Sequence, residues 1–229
     1  MAPLGLALCT SVENRTATVV AAGIRSFLNA AKSRDFDCVQ LRTDGESALA
    51  VMIEELAGLG VVVDVAGPGK HVHVVERKIQ TIKERVRAHK NSLPHVMTRL
   101  LITMCVLFCV SRLNMQPSRM SVDRIGPLEQ FTGRKTDFAR DLHVQFGDYV
   151  QATVSDTDNT MSSRTQGCIA LLPTGNLTGS VKMWCLGINT TITKDQFKIL
   201  SMPDLVVTHI TSLAAMEGLT RGIDPGVVT

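Results

Sequence analysis

Residues 38–65, CVQLRTDGESALAVMIEELAGLGVVVDV, carry the pattern that decides the fold. Cys38 to Arg42 alternates apolar and polar side chains as a short strand does, and it stops at Thr43-Asp44-Gly45, a run of turn-forming residues. Ser47 to Leu59 then spaces its apolar positions as a helix does. Gly60 comes next, at the position where helices commonly end on a left-handed glycine. Val61 to Val65 is β-branched and reads as a second strand. Strand, helix, strand in this order is the alternation of an α/β sheet.

The same alternation extends outward. Upstream, the apolar run Pro3 to Thr10 reads as a buried strand, and Val19, Ala22, Phe27 and Ala30 lie on a helical pattern from Arg15 to Ser33. Downstream, the Gly67-Pro68-Gly69 turn leads into a helix from Val74 to Lys90, then an apolar helix from Leu93 to Leu113. Pro117 and Pro127 break the next, basic stretch, leaving loops around one short helix. After Phe146 the texture changes to short strands at Val150–Thr153, Gly167–Leu172, Gly179–Leu186, Thr190–Thr193 and Gln196–Leu200. The turn signals Thr174-Gly175-Asn176 and Gly187-Ile188-Asn189 separate them. A helix over Asp204 to Glu217 closes the pattern. The class is α/β followed by a small all-β module, divided as 1–145, 146–202 and a tail over 203–229.

Composition narrows the function. Of 229 residues, 45% are hydrophobic, with 24 Lys and Arg against 21 Asp and Glu, which is the make-up of a folded chain. The Leu100 to Val110 run falls short of the roughly 20 residues a bilayer-spanning helix needs. Met1 to Cys9 lacks the basic start of a secretory leader. The six cysteines contain no C-x-x-C pair, so reduced thiols and an intracellular location are expected. Charge is strongly partitioned: residues 70–140 carry 14 basic and 5 acidic side chains, whereas 1–69 and 141–229 each carry 5 basic and 8 acidic. A block of that sign points to a polyanionic partner or, more simply, to solvated helix faces.

The helix at Val74 to Lys90 concentrates the informative residues. Val75, Ile79, Ile82 and Val86 form one apolar stripe. Glu76, Gln80, Lys83 and Arg87 repeat that spacing one residue later and share a neighbouring face. A carboxylate can hold a cation there while Gln80, Lys83 and Arg87 track a nucleic-acid backbone. Glu76 also has a simpler explanation in the positive end of the helix dipole. Asp44, at the carboxyl end of a strand, lies where α/β proteins collect their sites, and two carboxylates brought together there suit a hard ion such as Mg²⁺. His71-Val72-His73 has no accompanying cysteine spacing to make a zinc site. Gly67-Pro68-Gly69-Lys70 lacks the spacing of a phosphate loop. Cys105 and Cys109 read as packing residues, and Trp184 and Tyr149 as core of the β module.

These motifs resemble a family. Leu41-Arg42-Thr43-Asp44-Gly45-Glu46 is similar to the segment around the second catalytic Asp of retroelement integrases. Val74-Val75-Glu76-Arg77-Lys78, with Ile79, Thr81 and Ile82, is similar to the segment around their catalytic Glu. Gly133-Arg134-Lys135-Thr136-Asp137 and Phe146-Gly147-Asp148-Tyr149-Val150 resemble the end of the core in copia-type retrotransposons. Gly167-Cys168-Ile169 and Lys194-Asp195-Gln196-Phe197 resemble the region downstream of that core in the same polyprotein.

The resemblance implies a ribonuclease-H-like integrase core sheet with helices, and an ancestral reaction that joins DNA strands with divalent metal. It implies Asp44 and Glu76 as catalytic metal ligands for Mg²⁺ or Mn²⁺. Gln80, Lys83, Arg87, Lys78 and His73 become the DNA-facing residues, and a nuclear site of action is implied if the ancestral role is kept. It also implies that Pro3 to Thr10 is the third strand of that sheet, so the sheet is incomplete. The first two strands, with the first catalytic Asp, would precede Met1. Two consequences are expected: the chain alone does not transfer strands, holding metal weakly, and its open sheet makes it poorly soluble or a homo-oligomer. The alternatives are a non-catalytic nucleic-acid-binding or oligomerisation remnant, and an unrelated α/β protein.

Overall fold

The computed structural model describes residues 5–12, 14, 16–43, 53–65, 73–117, 124–154, 161 and 163–220. The elements are α1 (Ala17–Lys32), β1 (Gln40–Thr43), α2 (Ile53–Gly58), β2 (Val62–Val65), α3 (His73–Ser92), α4 (Arg99–Met115), α5 (Pro127–Thr132) and α6 (Phe138–Asp141). They continue as β3 (Tyr149–Thr153), β4 (Thr165–Pro173), β5 (Val181–Cys185), β6 (Thr190–Lys194), β7 (Phe197–Leu200) and α7 (Asp204–Met216). The class is the α/β one read from the sequence, with helices around a parallel pair and an antiparallel sheet after it. Contacts gather into two compact units, residues 1–83 with 113–134, and residues 84–112 with 135–229.

In the first unit β1 and β2 pair in parallel, with Leu41 opposite Val63 and Thr43 opposite Val65. Ala21, Leu56 and Val61 form the buried core, and Ile24, Leu28, Cys38, Leu41 and Val63 pack around them. Ala21, Ile24 and Leu28 recur at helical spacing, so one stripe of α1 lies on the sheet's apolar face. Gly60 ends α2 as the spacing predicts. Its φ is +76°, its N–H donates to Ala57 O, and the Val61 N–H donates to Leu56 O. That pattern closes the helix and sets Val61 against Leu56. The expected helix segment 47–52 lies outside the described residues. Farther along, Phe36 stacks on Phe131 at 5.5 Å, and the Arg34 guanidinium donates to Thr132 O.

Residues 5–10 correct the reading of Pro3 to Thr10 as a buried strand: they belong to no sheet and are half-buried or exposed, and Gly5 takes a φ of +66°. Side chains rather than a ladder engage the Ala7 backbone and the Gly5 carbonyl. Asn114 Oδ1 accepts from Ala7 N at 2.9 Å while Asn114 Nδ2 donates to Ala7 O at 2.7 Å. Lys78 Nζ donates to Gly5 O at 2.5 Å. Among the described residues β1 therefore has β2 as its one sheet neighbour.

The second unit is built on an antiparallel sheet ordered β6-β5-β4-β3-β7. All five strands lie where the sequence places them. One face carries Val150, Ala152, Cys168, Ala170, Val181, Met183 and Cys185, buried with Val144. The opposite face buries Tyr149, Ile169 and Trp184. Both aromatics are thus core, as expected. Trp184 also shares a hollow of about 200 Å³ with Thr98 and Leu100 at the start of α4 and Leu213 and Met216 of α7.

The apolar helix begins at Arg99 rather than Leu93. Pro94 disfavours helical backbone at the residue before it. The Thr98 hydroxyl accepts from Leu101 N, which fixes the start of the helix. Within this helix Arg112 donates to Asp141 O and Val144 O, each at 2.7 Å, and lies 4.7 Å over the Phe108 ring. Asp137 caps α6 by accepting from Ala139 N and Arg140 N. No described helix is long and apolar enough to cross a membrane.

Candidate nucleic-acid interface on α3

α3 is a single helix from His73 to Ser92, and its length reflects its composition: 20 residues with no Gly or Pro. Its faces fall at about 100° per residue. Glu76, Gln80, Lys83 and Arg87 share one exposed face. The exposed Lys90 continues that row three residues after Arg87. The sequence reading omitted Lys90, although the same spacing points to it. His73 occupies the register position one turn before Glu76, at the first residue of the helix rather than in the preceding loop.

Lys78 stands apart. It lies about 140–180° around the helix from Gln80, Lys83 and Arg87. Its ammonium is engaged with the Gly5 carbonyl. The geometry thus separates one lysine that holds the Gly5 carbonyl from a row of exposed cations. Between these faces runs the apolar stripe. Ile82 and Val86 are half-buried, while Val75 and Ile79 remain 50% and 45% exposed.

Asp44 lies outside the described residues, as do His71 and the Gly67-Pro68-Gly69-Lys70 turn. Thr43, immediately before Asp44, is buried at the end of β1. Glu76 is thus the one described member of the carboxylate pair. A hard divalent ion takes six or more oxygen ligands, and among the described residues no group of three His, Cys, Asp or Glu side chains converges on one point. One described carboxylate does not by itself make a metal centre.

Burial sets the titration of the groups beyond this row. His89, on the half-buried side of α3, sits edge-on to Phe108 at 5.4 Å and to Phe146 at 6.0 Å. Its pKa is held below the ordinary histidine value, first by burial and then by the Arg112 and Arg85 charges. It is therefore a neutral packing residue at pH 7 and not part of the cationic row.

Solved structures similar to this chain include the catalytic core domain of BIV integrase, at 21% identity, covering 57% of this chain and 80% of that one with a TM-score of 0.41. Another is the simian T-cell lymphotropic virus intasome in complex with the PP2A regulatory subunit B56 gamma, at 12% identity, covering 85% of this chain and 68% of that one with a TM-score of 0.40. No family model and no curated protein matches the chain.

Proposed function

We propose that this chain is a copia-type, integrase-like segment that binds DNA along α3 and does not by itself join strands. The observation that carries the reading is the solvent-facing row Glu76, Gln80, Lys83 and Arg87 on one uninterrupted helix. It comes in the sequence order that resembles the integrase Asp and Glu segments. Residues 1–145 then correspond to the core-like part, 146–202 to the β module, and 203–229 to the tail. Asp44 and Glu76 would be the carboxylates for Mg²⁺ or Mn²⁺, an ion whose chemistry in such a site is activation of an attacking oxygen. Gln80, Lys83 and Arg87 would contact the phosphate backbone, with His73 near the helix start. Action on chromosomal DNA would place the protein in the nucleus.

Duplex binding across a salt series tests this. Each phosphate contact contributes a log–log slope of about 0.9. Lys83→Ala with Arg87→Ala is expected to lower the slope by about 2, whereas Lys78→Ala leaves it unchanged because that ammonium faces Gly5. Equal losses from all three positions would overturn the assignment. Metal-dependent nicking of DNA that disappears in Asp44→Asn would overturn the non-catalytic part.

A second reading, an oligomerisation remnant, is favoured by the side chains beside the parallel pair. Val39, Val62 and Val65 are 69%, 66% and 48% exposed. Strands of a parallel sheet ordinarily have both faces covered. Light scattering that finds a monodisperse monomer counts against this reading.

A further inference from the structure

The sheet register pairs two cysteines that lie 17 positions apart. Cys168 of β4 stands directly opposite Cys185 of β5, and both are fully buried free thiols. The neighbouring bonds determine the type of pair. Leu186 N donates to Gly167 O, and Ala170 N donates to Asp148 O. Hydrogen-bonded and non-hydrogen-bonded pairs alternate along an antiparallel ladder. The backbone groups of Cys168 therefore point toward β3, and Cys168–Cys185 is a non-hydrogen-bonded pair. Such pairs bring Cα atoms to about 4.5 Å and Cβ atoms closest, inside the range that a disulfide spans.

The sulfurs share one local environment: Cys185 Sγ donates to Gln166 Oε1 at 3.0 Å, and Cys168 Sγ donates to Gln166 O at 3.6 Å. Burial first, and the neighbouring Cys185 second, push the Cys168 thiol up to about 12. A thiol so protonated does not react while the sheet is closed.

We propose that Cys168 and Cys185 are a latent disulfide site, closed by a small-molecule disulfide oxidant only when β4 and β5 open or first pair. One thiol loses its proton, attacks glutathione disulfide and releases one glutathione. The second loses its proton and displaces the other glutathione, so two electrons pass to the oxidant and the cysteines are joined. Once closed, the bond is sealed in the same core that protects the thiols. Cys105 and Cys109 serve as an internal control. They are also buried neighbours, but at i, i+4 on α4. That spacing sets Cβ atoms about 5–6 Å apart, beyond disulfide reach.

The experiment incubates the full chain in glutathione disulfide at graded urea, blocks free thiols with N-ethylmaleimide in denaturant, and maps peptides without reduction. Soluble and precipitated fractions are both read. A Cys168–Cys185 crosslink is expected, growing with urea up to the unfolding midpoint, with Cys105 and Cys109 not joined to each other over that range. The crosslinked chain should melt about 5–10 °C higher than the reduced one. Recovery of Cys168 and Cys185 as free thiols where exposed Cys9 is fully oxidised would overturn the proposal. So would either one ending as a glutathione adduct, or a crosslink that leaves the melting temperature unmoved.

Discussion

The two units spend similar residue types in different ways. The antiparallel sheet of the second unit buries seven of its side chains on one face and Tyr149, Ile169 and Trp184 on the other, with Leu171 buried as well. Among the described residues, the parallel pair of the first unit has strands of four residues and a core of three buried side chains, with Val39, Val62 and Val65 exposed. Hydrophobic stabilisation scales with the apolar area removed from water. Valine-rich strands therefore stabilise a unit only when something covers them. On that account the sheet of the second unit is covered by its own unit, whereas the parallel pair leaves apolar side chains in water.

Truncation should separate them most sharply. Met183→Ala removes a fully buried side chain and is expected to cost about 3 kcal/mol in urea unfolding. Val63→Ala, at a half-buried position, should cost about 1 kcal/mol. Amide exchange read by mass spectrometry should show β3, β4 and β5 protected longest and β1 and β2 exchanging first. Equal protection in the two sheets would break the comparison. Next in size is Arg112→Ala. It strips the donors from two carbonyls and uncovers the Phe108 ring, and should cost about 2 kcal/mol.

The same contrast explains what the sequence made legible. The five β-module strands and α7 could be read because alternation and turn residues are local. Gly175 and Asn189 do take positive φ at the two turns expected. Gly60 was legible for the same reason, and Gly60→Ala tests it: with φ at +76°, an added Cβ should cost about 1 kcal/mol.

Misreadings came where a distant side chain decides. Pro3 to Thr10 has the composition of a strand, yet Asn114, 107 positions from Ala7, satisfies its backbone. The Cys168–Cys185 pair needs the β4–β5 register, which no cysteine spacing announces.

The smallest effect concerns pH and sharpens the picture of the second unit. His89 is neutral among Phe108, Phe146, Arg85 and Arg112, with its pKa below the ordinary value of 6.5. Between that lowered value and 6.5 the unfolded chain binds a proton that the folded chain refuses. The contribution of His89 to stability is thus fully present above pH 6.5 and falls as pH drops toward the folded value. In His89→Gln, which keeps a polar side chain of similar reach without a titrating ring, urea midpoints should vary less between about pH 7 and pH 5 than in the wild type. An undiminished slope would mean that His89 is protonated in the fold. The Arg85 and Arg112 charges would then have to be turned away from it rather than toward it.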